Sequence, residues 1–264
     1  MKRFLRYSCL FLLIGFGSCA ITKRQQNNGI NEIKILTYNI RNARGMDEKT
    51  DYDRIAGIIR SIHPDCAALQ ELDSATARSN GEVILDELAK RTGMYASYSK
   101  SIDYQGGGYG IGILTKEKPL HKEVIPLPGR EESRSFLIVE MPNYVIGCTH
   151  WSLTHEDRMA SVDRINAAVG KYLHKPVFLA GDFNSDAISE EINLLSKNWM
   201  MLNDPSKATF PSDRPVKCID YIWAKKNPFF SFKISITKVE NEPVASDHLP
   251  VWTMVNYSKI KNNP

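Results

Sequence analysis

The sequence is short of paired cysteines, of long apolar runs and of any strong excess of one charge, and each absence excludes something. Its five cysteines never stand in a Cys-x-x-Cys spacing, and no His-x-x-x-His pair occurs, so nothing in the chain reads as a zinc site. Cys66, Cys148 and Cys218 each sit in an apolar strand-like segment; an odd count in such settings reads as buried small hydrophobes rather than a disulfide framework. The apolar stretch from Cys9 to Phe16 is too short to span a bilayer. With 34 basic against 30 acidic residues the chain is not strongly basic, and the electrostatic footprint of a protein that grips long nucleic acid is weak.

The first thirty residues are set apart from the rest. Lys2, Arg3 and Arg6 precede the apolar stretch, and Gly17, Ser18 and Cys19 follow it, which is the pattern of a secretory signal over residues 1–18. A cysteine directly after two small residues is similar to a bacterial lipoprotein cleavage site, although Phe16 stands where Leu is more usual. That similarity implies a lipidated Cys19, an exported chain held at the cell envelope, and a polar tether over residues 19–30. Removal of residues 1–18 takes three bases and no acid, leaving 31 bases against 30 acids and a net charge near +1. The remaining length suits one large core, expected as one domain over residues 31–257 with a polar tail to 264, in a monomer.

Patterning along that domain is mixed. EIKILTYNIR alternates as a strand; Ile55, Ile58, Ile59 and Ile62 fall at helical spacing, opened by Thr50 and Asp53 as a capping box and stopped by Pro64. CAALQE reads as a buried strand and EVILDELAKRT as a second helix. After Gly106, Gly107 and Gly108, which allow a tight turn or a mobile loop, come GIGILT, KEVIPL, RSFLIVEM and NYVIGCTHW, strands separated by Pro and Gly as in antiparallel meanders. A long helix is expected from Glu156 to Leu173, capped by Thr154. The strands PVFLAGDFN, IDYIWAK, FKISITKVE and PVWTMV complete a layered α/β domain. Phe229 and Phe230, after Pro228, read as hairpin or core packing rather than as lipid contacts.

Polar residues collect where apolar strands end. Asn39 ends ILTYN, Glu71 ends CAALQE, His150 ends YVIGCTH, Asp182 and Asn184 end VFLAGDFN, Asp220 follows Cys218 and Ile219, and Asp247 and His248 precede the last strand. Singly, each reads as a turn former, a cap or a satisfied histidine. Together, at the ends of strands that converge on one rim, they are the groups that bind hard cations and phosphates. Carboxylates and an amide without thiolates suit magnesium or manganese, with Glu71 and Asp247 the best metal carboxylates. His150, Asn184 and His248 suit phosphate oxygens, Asp182 suits a water, and Asp220 suits orienting a histidine.

The ordered set TYNIR, LQE, YGIGIL, CTHW, AGDFN, CIDYIW and SDHLP resembles the endonuclease/exonuclease/phosphatase superfamily, whose members act on DNA, phosphoinositides and sphingomyelin. The resemblance covers about residues 31–257 and implies a four-layered α/β/β/α sandwich with two packed, mostly antiparallel sheets. It also implies Glu71 as principal metal ligand with Asn39 and Asp247 completing or supporting the sphere, and Asp182 as the water-activating acid. Asn184 then contacts phosphate, His150 and His248 contact phosphate and the transition state, and Asp220 is the partner of His248. Arg134 lies where several members place a substrate arginine, and Tyr109 stands beside the site or in a hairpin turn. The expectation is a magnesium- or manganese-dependent phosphoester hydrolase acting on a lipid or small phosphoester. A DNA-cleaving nuclease is the rival, and an inactive binding lipoprotein the lesser one.

Overall fold

The computed structural model describes residues 30–260; the expected signal segment, Cys19 and all of the tether before Ile30 lie outside them. Among the described residues, twelve strands form two six-stranded sheets. The first holds β1 (Ile30–Asn39), β2 (Cys66–Ser74), β3 (Tyr95–Tyr104), β4 (Gly107–Thr115), β11 (Phe230–Val239) and β12 (Val251–Lys259), in the order β11-β12-β1-β2-β4-β3. The second holds β5 (His121–Leu127), β6 (Arg134–Glu140), β7 (Val145–His150), β8 (Val177–Asp182), β9 (Trp199–Met201) and β10 (Asp220–Lys225), in the order β5-β6-β7-β8-β10-β9. Only the neighbours β1/β2 and β7/β8 run parallel. Helices α1 (Tyr52–Ile62) and α2 (Ile84–Thr92) cover the first sheet, and α3 (His155–Val169) and α4 (Glu190–Asn198) cover the second. The four-layered α/β/β/α sandwich is the expected architecture.

Three apolar layers follow from the two-residue period of the strands. Ile33 and Ile35 of β1, Cys66 and Ala68 of β2, Ile146 and Cys148 of β7, Phe178 and Ala180 of β8, and Ile222 and Ala224 of β10 fill the space between the sheets. Their alternates, among them Leu36 and Tyr38, pack under α1 and α2, while Leu179, Tyr221 and Trp223 pack under α3 and α4. All three body cysteines are free and buried, as their apolar settings imply.

Several local expectations are corrected. The cap of α1 is Asp51, whose Oδ1 accepts from the Arg54 amide at 2.8 Å, not Thr50 with Asp53. Thr154 occupies the cap position of α3 without capping it; its hydroxyl donates to Glu131 Oε2 at 3.2 Å. That helix ends at Val169 and tightens into a short 3-10 turn, Gly170–Tyr172, before Leu173. The tyrosine-rich ASYSKSIDY is β3, and of the two readings of the glycines the tight turn is the one seen: Gln105 and Gly106, with φ of 45° and 81°, lead from β3 into β4. Phe230 is buried while Phe229 is exposed, and both lie at the end of the sandwich opposite Asn39.

Gly181 marks how closely β7 and β8 approach, since a Cβ there meets the Thr149 carbonyl oxygen at 2.1 Å. Gly181→Ala is expected to destabilise the fold by roughly 2–3 kcal/mol, read as a fall in denaturant midpoint at constant m. Gly57, inside α1, meets nothing nearer than the Arg60 guanidinium at 3.9 Å, and Gly57→Ala is expected to stabilise by roughly 0.5–1 kcal/mol.

Candidate active site

The strand period that builds the inter-sheet core also builds the site. Continuing each inward-facing row gives Tyr109 on β4, His150 on β7, Asp182 on β8 and Asp220 on β10 at the next inward position, and Asn39 on β1 one inward position past Thr37. His150, Asp182 and Asp220 stand side by side in register across three neighbouring strands. On β2 the same row ends at Gln70, buried with its amide donating to Cys148 Sγ at 3.3 Å. Glu71 reaches the rim because β2 bulges there against β4, and the residue takes a left-handed φ of 61°. The loop SDHLP enters β12 at the same rim, pinned by Ser246, whose hydroxyl donates to the Asn39 carbonyl oxygen at 2.7 Å.

Asp182 Oδ2 is where these side chains converge. Asn39 Nδ2 donates to it at 3.0 Å, His150 Nε2 lies at 3.5 Å and His248 Nε2 at 3.6 Å. Asn39 Nδ2 also donates to Glu71 Oε1 at 2.9 Å, and its Oδ1 accepts from the Arg41 amide at 3.1 Å. The Asn39 amide therefore ties the two carboxylates together across the sheets. Asp182 Oδ1 accepts from the Asn184 amide at 2.9 Å, closing a turn in which Asn184 takes a left-handed φ of 47°. Asn184 Nδ2 donates to the Trp151 carbonyl oxygen at 2.9 Å, which holds its half-buried side chain on the rim.

The two histidines differ in charge for stated reasons. Burial works against charge on His248, but Asp220, at 3.0 Å from Nδ1, and Asp182 outweigh it, so its pKa is pushed up to about 10. His150 is lowered to about 3 chiefly by burial, with the positive charges of Arg134 and His248 adding to the effect against Asp182. An imidazolium and a neutral imidazole thus flank one carboxylate. Thr209 Oγ1 donates to Asp220 Oδ2 at 2.5 Å, and the Phe210 ring lies 4.8 Å from that of His248.

A cation fits beside this group. Burial raises the pKa of Glu71, and Asp247 and Asp182 raise it further against the Asn39 hydrogen bond and His248. Such a cluster of hard oxygens lacks positive charge, the condition a divalent ion relieves. Asp182, Asp220 and His248 also bring one ligand atom each within 4.8 Å of one another, but His248 Nδ1 and Asp220 already engage each other as a buried ion pair at 3.0 Å. Glu71 and Asp247, both half-buried, are the better-placed open carboxylates.

Arg134 is buried at the start of β6, paired with Glu132 at 3.1 Å, and its Nε has no partner among the described residues. It is not a solvated strand-edge arginine. Tyr109, half-buried, lies 6.0 Å from Tyr104 with the two rings tilted by 50°, and the Arg78 guanidinium lies over both rings. Sequence reasoning passed over Ser246, Thr209, Phe210 and Arg78. Ser246 lay within the SDHLP motif; Thr209 and Phe210 lie in a loop that carries no periodic signal.

The raised His248 pKa stabilises the fold below the ordinary histidine value of 6.5, and that contribution is lost as pH rises through about 10. In the metal-free chain its imidazole signals are expected to stay in the protonated position to pH 8, and Asp220→Asn to lower the midpoint by roughly one to three units. Histidine NMR titration of both chains checks this.

The sequence profile described as the Endonuclease/Exonuclease/phosphatase family matches residues 36–248. No curated protein sequence matches the chain. Among solved structures, an endonuclease/exonuclease/phosphatase from Beutenbergia cavernae superposes with a TM-score of 0.71 at 21% identity, covering 85% of this chain and 71% of that one. A mannosyl-6-phosphatase from Bacteroides thetaiotaomicron gives 0.70 at 17%, covering 84% and 99%. A truncated TDP2 from Caenorhabditis elegans gives 0.61 at 18%, covering 86% and 97%. At these identities the likeness is one of fold.

Proposed function

Because the chain belongs to the endonuclease/exonuclease/phosphatase family, we propose that it is a divalent-metal-dependent hydrolase of a small-molecule or lipid phosphoester, with Asp182 as the residue that activates water. The observation that carries this reading is the convergence of Asn39, His150 and His248 on Asp182 Oδ2, beside the open carboxylates Glu71 and Asp247. Glu71 and Asp247 would hold magnesium or manganese, with Asn39 supporting Glu71; when bound, the ion supplies positive charge to the phosphate oxygens.

Asp182 orients a water molecule and takes its proton as the water oxygen bonds to phosphorus. The ester oxygen leaves with the electron pair of the broken P–O bond. His248, held protonated by Asp220, and the neutral His150 donate to non-bridging oxygens, where negative charge accumulates. Asn184 positions the phosphate from the turn after β8. Arg134 and Tyr109 line the β4 and β6 side of the opening, where they contact the group attached to phosphorus. The likeness to a mannosyl phosphatase supports a sugar phosphate as one arm of a substrate panel, beside a phosphoinositide, sphingomyelin and plasmid DNA.

Asp182→Asn and His248→Ala are each expected to lower kcat on the best substrate by roughly 10²–10⁴-fold. Chelation should abolish turnover and magnesium restore it; unchanged turnover in both variants overturns the site assignment. We further propose that residues 1–18 direct export and that Cys19 carries lipid at the cell envelope. Radioactive fatty acid should label the chain and leave Cys19→Ala unlabelled.

A further inference from the structure

We propose that the end of the sandwich opposite the carboxylates is a docking face for an anionic lipid bilayer, so that the catalytic rim opens into the aqueous phase. Strand direction separates the two ends. Five strands that lead to the rim have their other terminus at the base: Ile30 on β1, Lys259 on β12, Val145 on β7, Val177 on β8 and Lys225 on β10. The ten residues of β1 alone put about 30 Å between Ile30 and Asn39.

Three observations place a membrane at the base. The first is where the rest of the chain lies: 29 residues precede Ile30, including the apolar Cys9 to Phe16 stretch and Cys19, so any lipid on Cys19 joins the fold at this face. The second is a cluster of exposed apolar side chains around that entry. Ile30, Phe229 and Ile260 are 57%, 52% and 46% exposed on neighbouring strands, with the Ile260 amide bonded to the Phe229 carbonyl oxygen. The third is charge. Lys118, Lys197, Lys226 and Lys259 are exposed on this end and make no ion pair among the described residues, offset in part by the exposed acids Glu117 and Glu32, which make none either. A hollow of about 690 Å³ opens beside Ile30 and Lys259, lined also by His174, Lys175, Pro142 and Phe230.

Exposed apolar residues also ring the catalytic end, where Ile188, Val216 and Leu153 are 89%, 74% and 66% exposed. Charge separates the two ends. Asp186, Asp213 and Glu242 lack ion pairs there among the described residues and are matched by Lys49, Arg214 and Lys217, so with a cation on Glu71 and Asp247 the rim carries no basic excess to draw an anionic surface. A lipid on Cys19 would attach the chain to a bilayer through a single point, which fixes no face of the domain toward it. The basal apolar and basic groups supply the second signal that fixes it. With the base on the bilayer the rim stands beyond reach of headgroups in the same leaflet, and the substrate is a water-soluble phosphoester. That consequence rests on the hydrolase reading; the orientation does not.

The test uses the full chain carrying Phe229→Trp or Ile188→Trp, purified from membranes and reconstituted into phosphatidylcholine–phosphatidylglycerol vesicles with brominated acyl chains. The chain's four tryptophans are a constant background in both variants, and circular dichroism checks their folding. Bromine is expected to quench the Phe229→Trp emission several-fold more than that of Ile188→Trp. Equal quenching, quenching of neither, or stronger quenching of Ile188→Trp overturns the proposal. Adding Lys226→Glu and Lys259→Glu to Phe229→Trp is expected to remove most of its quenching at low salt, and unchanged quenching overturns the electrostatic basis. Because quenching is read without turnover, an inactive enzyme that docks by its base refutes the hydrolase reading and leaves the orientation standing.

Discussion

The contact between Asn39 Nδ2 and Asp182 Oδ2 joins the two sheets at their polar end. Below it the inter-sheet space is apolar and closed by hydrophobic packing; at it, the rows of aliphatic side chains stop and a buried carboxylate begins. A buried carboxylate needs donors, and Asp182 draws them from both sheets: the Asn39 amide from the first, and the Asn184 backbone from its own strand exit. The same amide holds Glu71, so the positions of the metal-side and water-side carboxylates are set by one side chain. Ser246 then ties the SDHLP loop to the backbone of Asn39, which makes that strand end the reference point for three separate segments.

Electrostatics complete what packing begins. Asp220 sits wholly buried and is held by Thr209 on one side and His248 on the other. That arrangement keeps one imidazole charged in a place where burial alone would neutralise it, as burial does to His150 two strands away. One neutral and one charged histidine beside a single carboxylate give the rim both a strong and a mild donor toward a phosphate. The Glu71 pocket stays short of positive charge, and this imbalance is what a hard divalent cation answers.

Much of this was legible in the residues. Alternation in ILTYN, VIGCTH and VFLAGD identifies strands, and the polar residue that ends each one lies in phase with the inward row, because a two-residue period carries a face assignment to its last position. Where the chain leaves that period, legibility falls. Glu71 is one residue out of phase with Ala68 and Gln70, and only the bulge puts it on the rim. Helix α4 and the three-residue β9 were missed because nine and three residues carry too little pattern to stand out, and Asp51 displaced Thr50 as a cap through backbone geometry that composition does not encode. Phe229 stands between Pro228 and Phe230, and nothing local says which end of the sandwich it occupies.

By itself the sequence determined which residue types end the strands, the lack of any thiolate or histidine set for zinc, and the layered α/β architecture, since all three follow from composition and short periodicity. Only the tertiary structure decided that Asn39 bridges Glu71 and Asp182, that His248 is charged while His150 is neutral, and that Phe229 lies with Ile30 and Ile260 far from the site. Those facts depend on distances between residues far apart in the chain, 143 positions for Asn39 and Asp182, and on burial, which no single segment possesses until the two sheets close on each other.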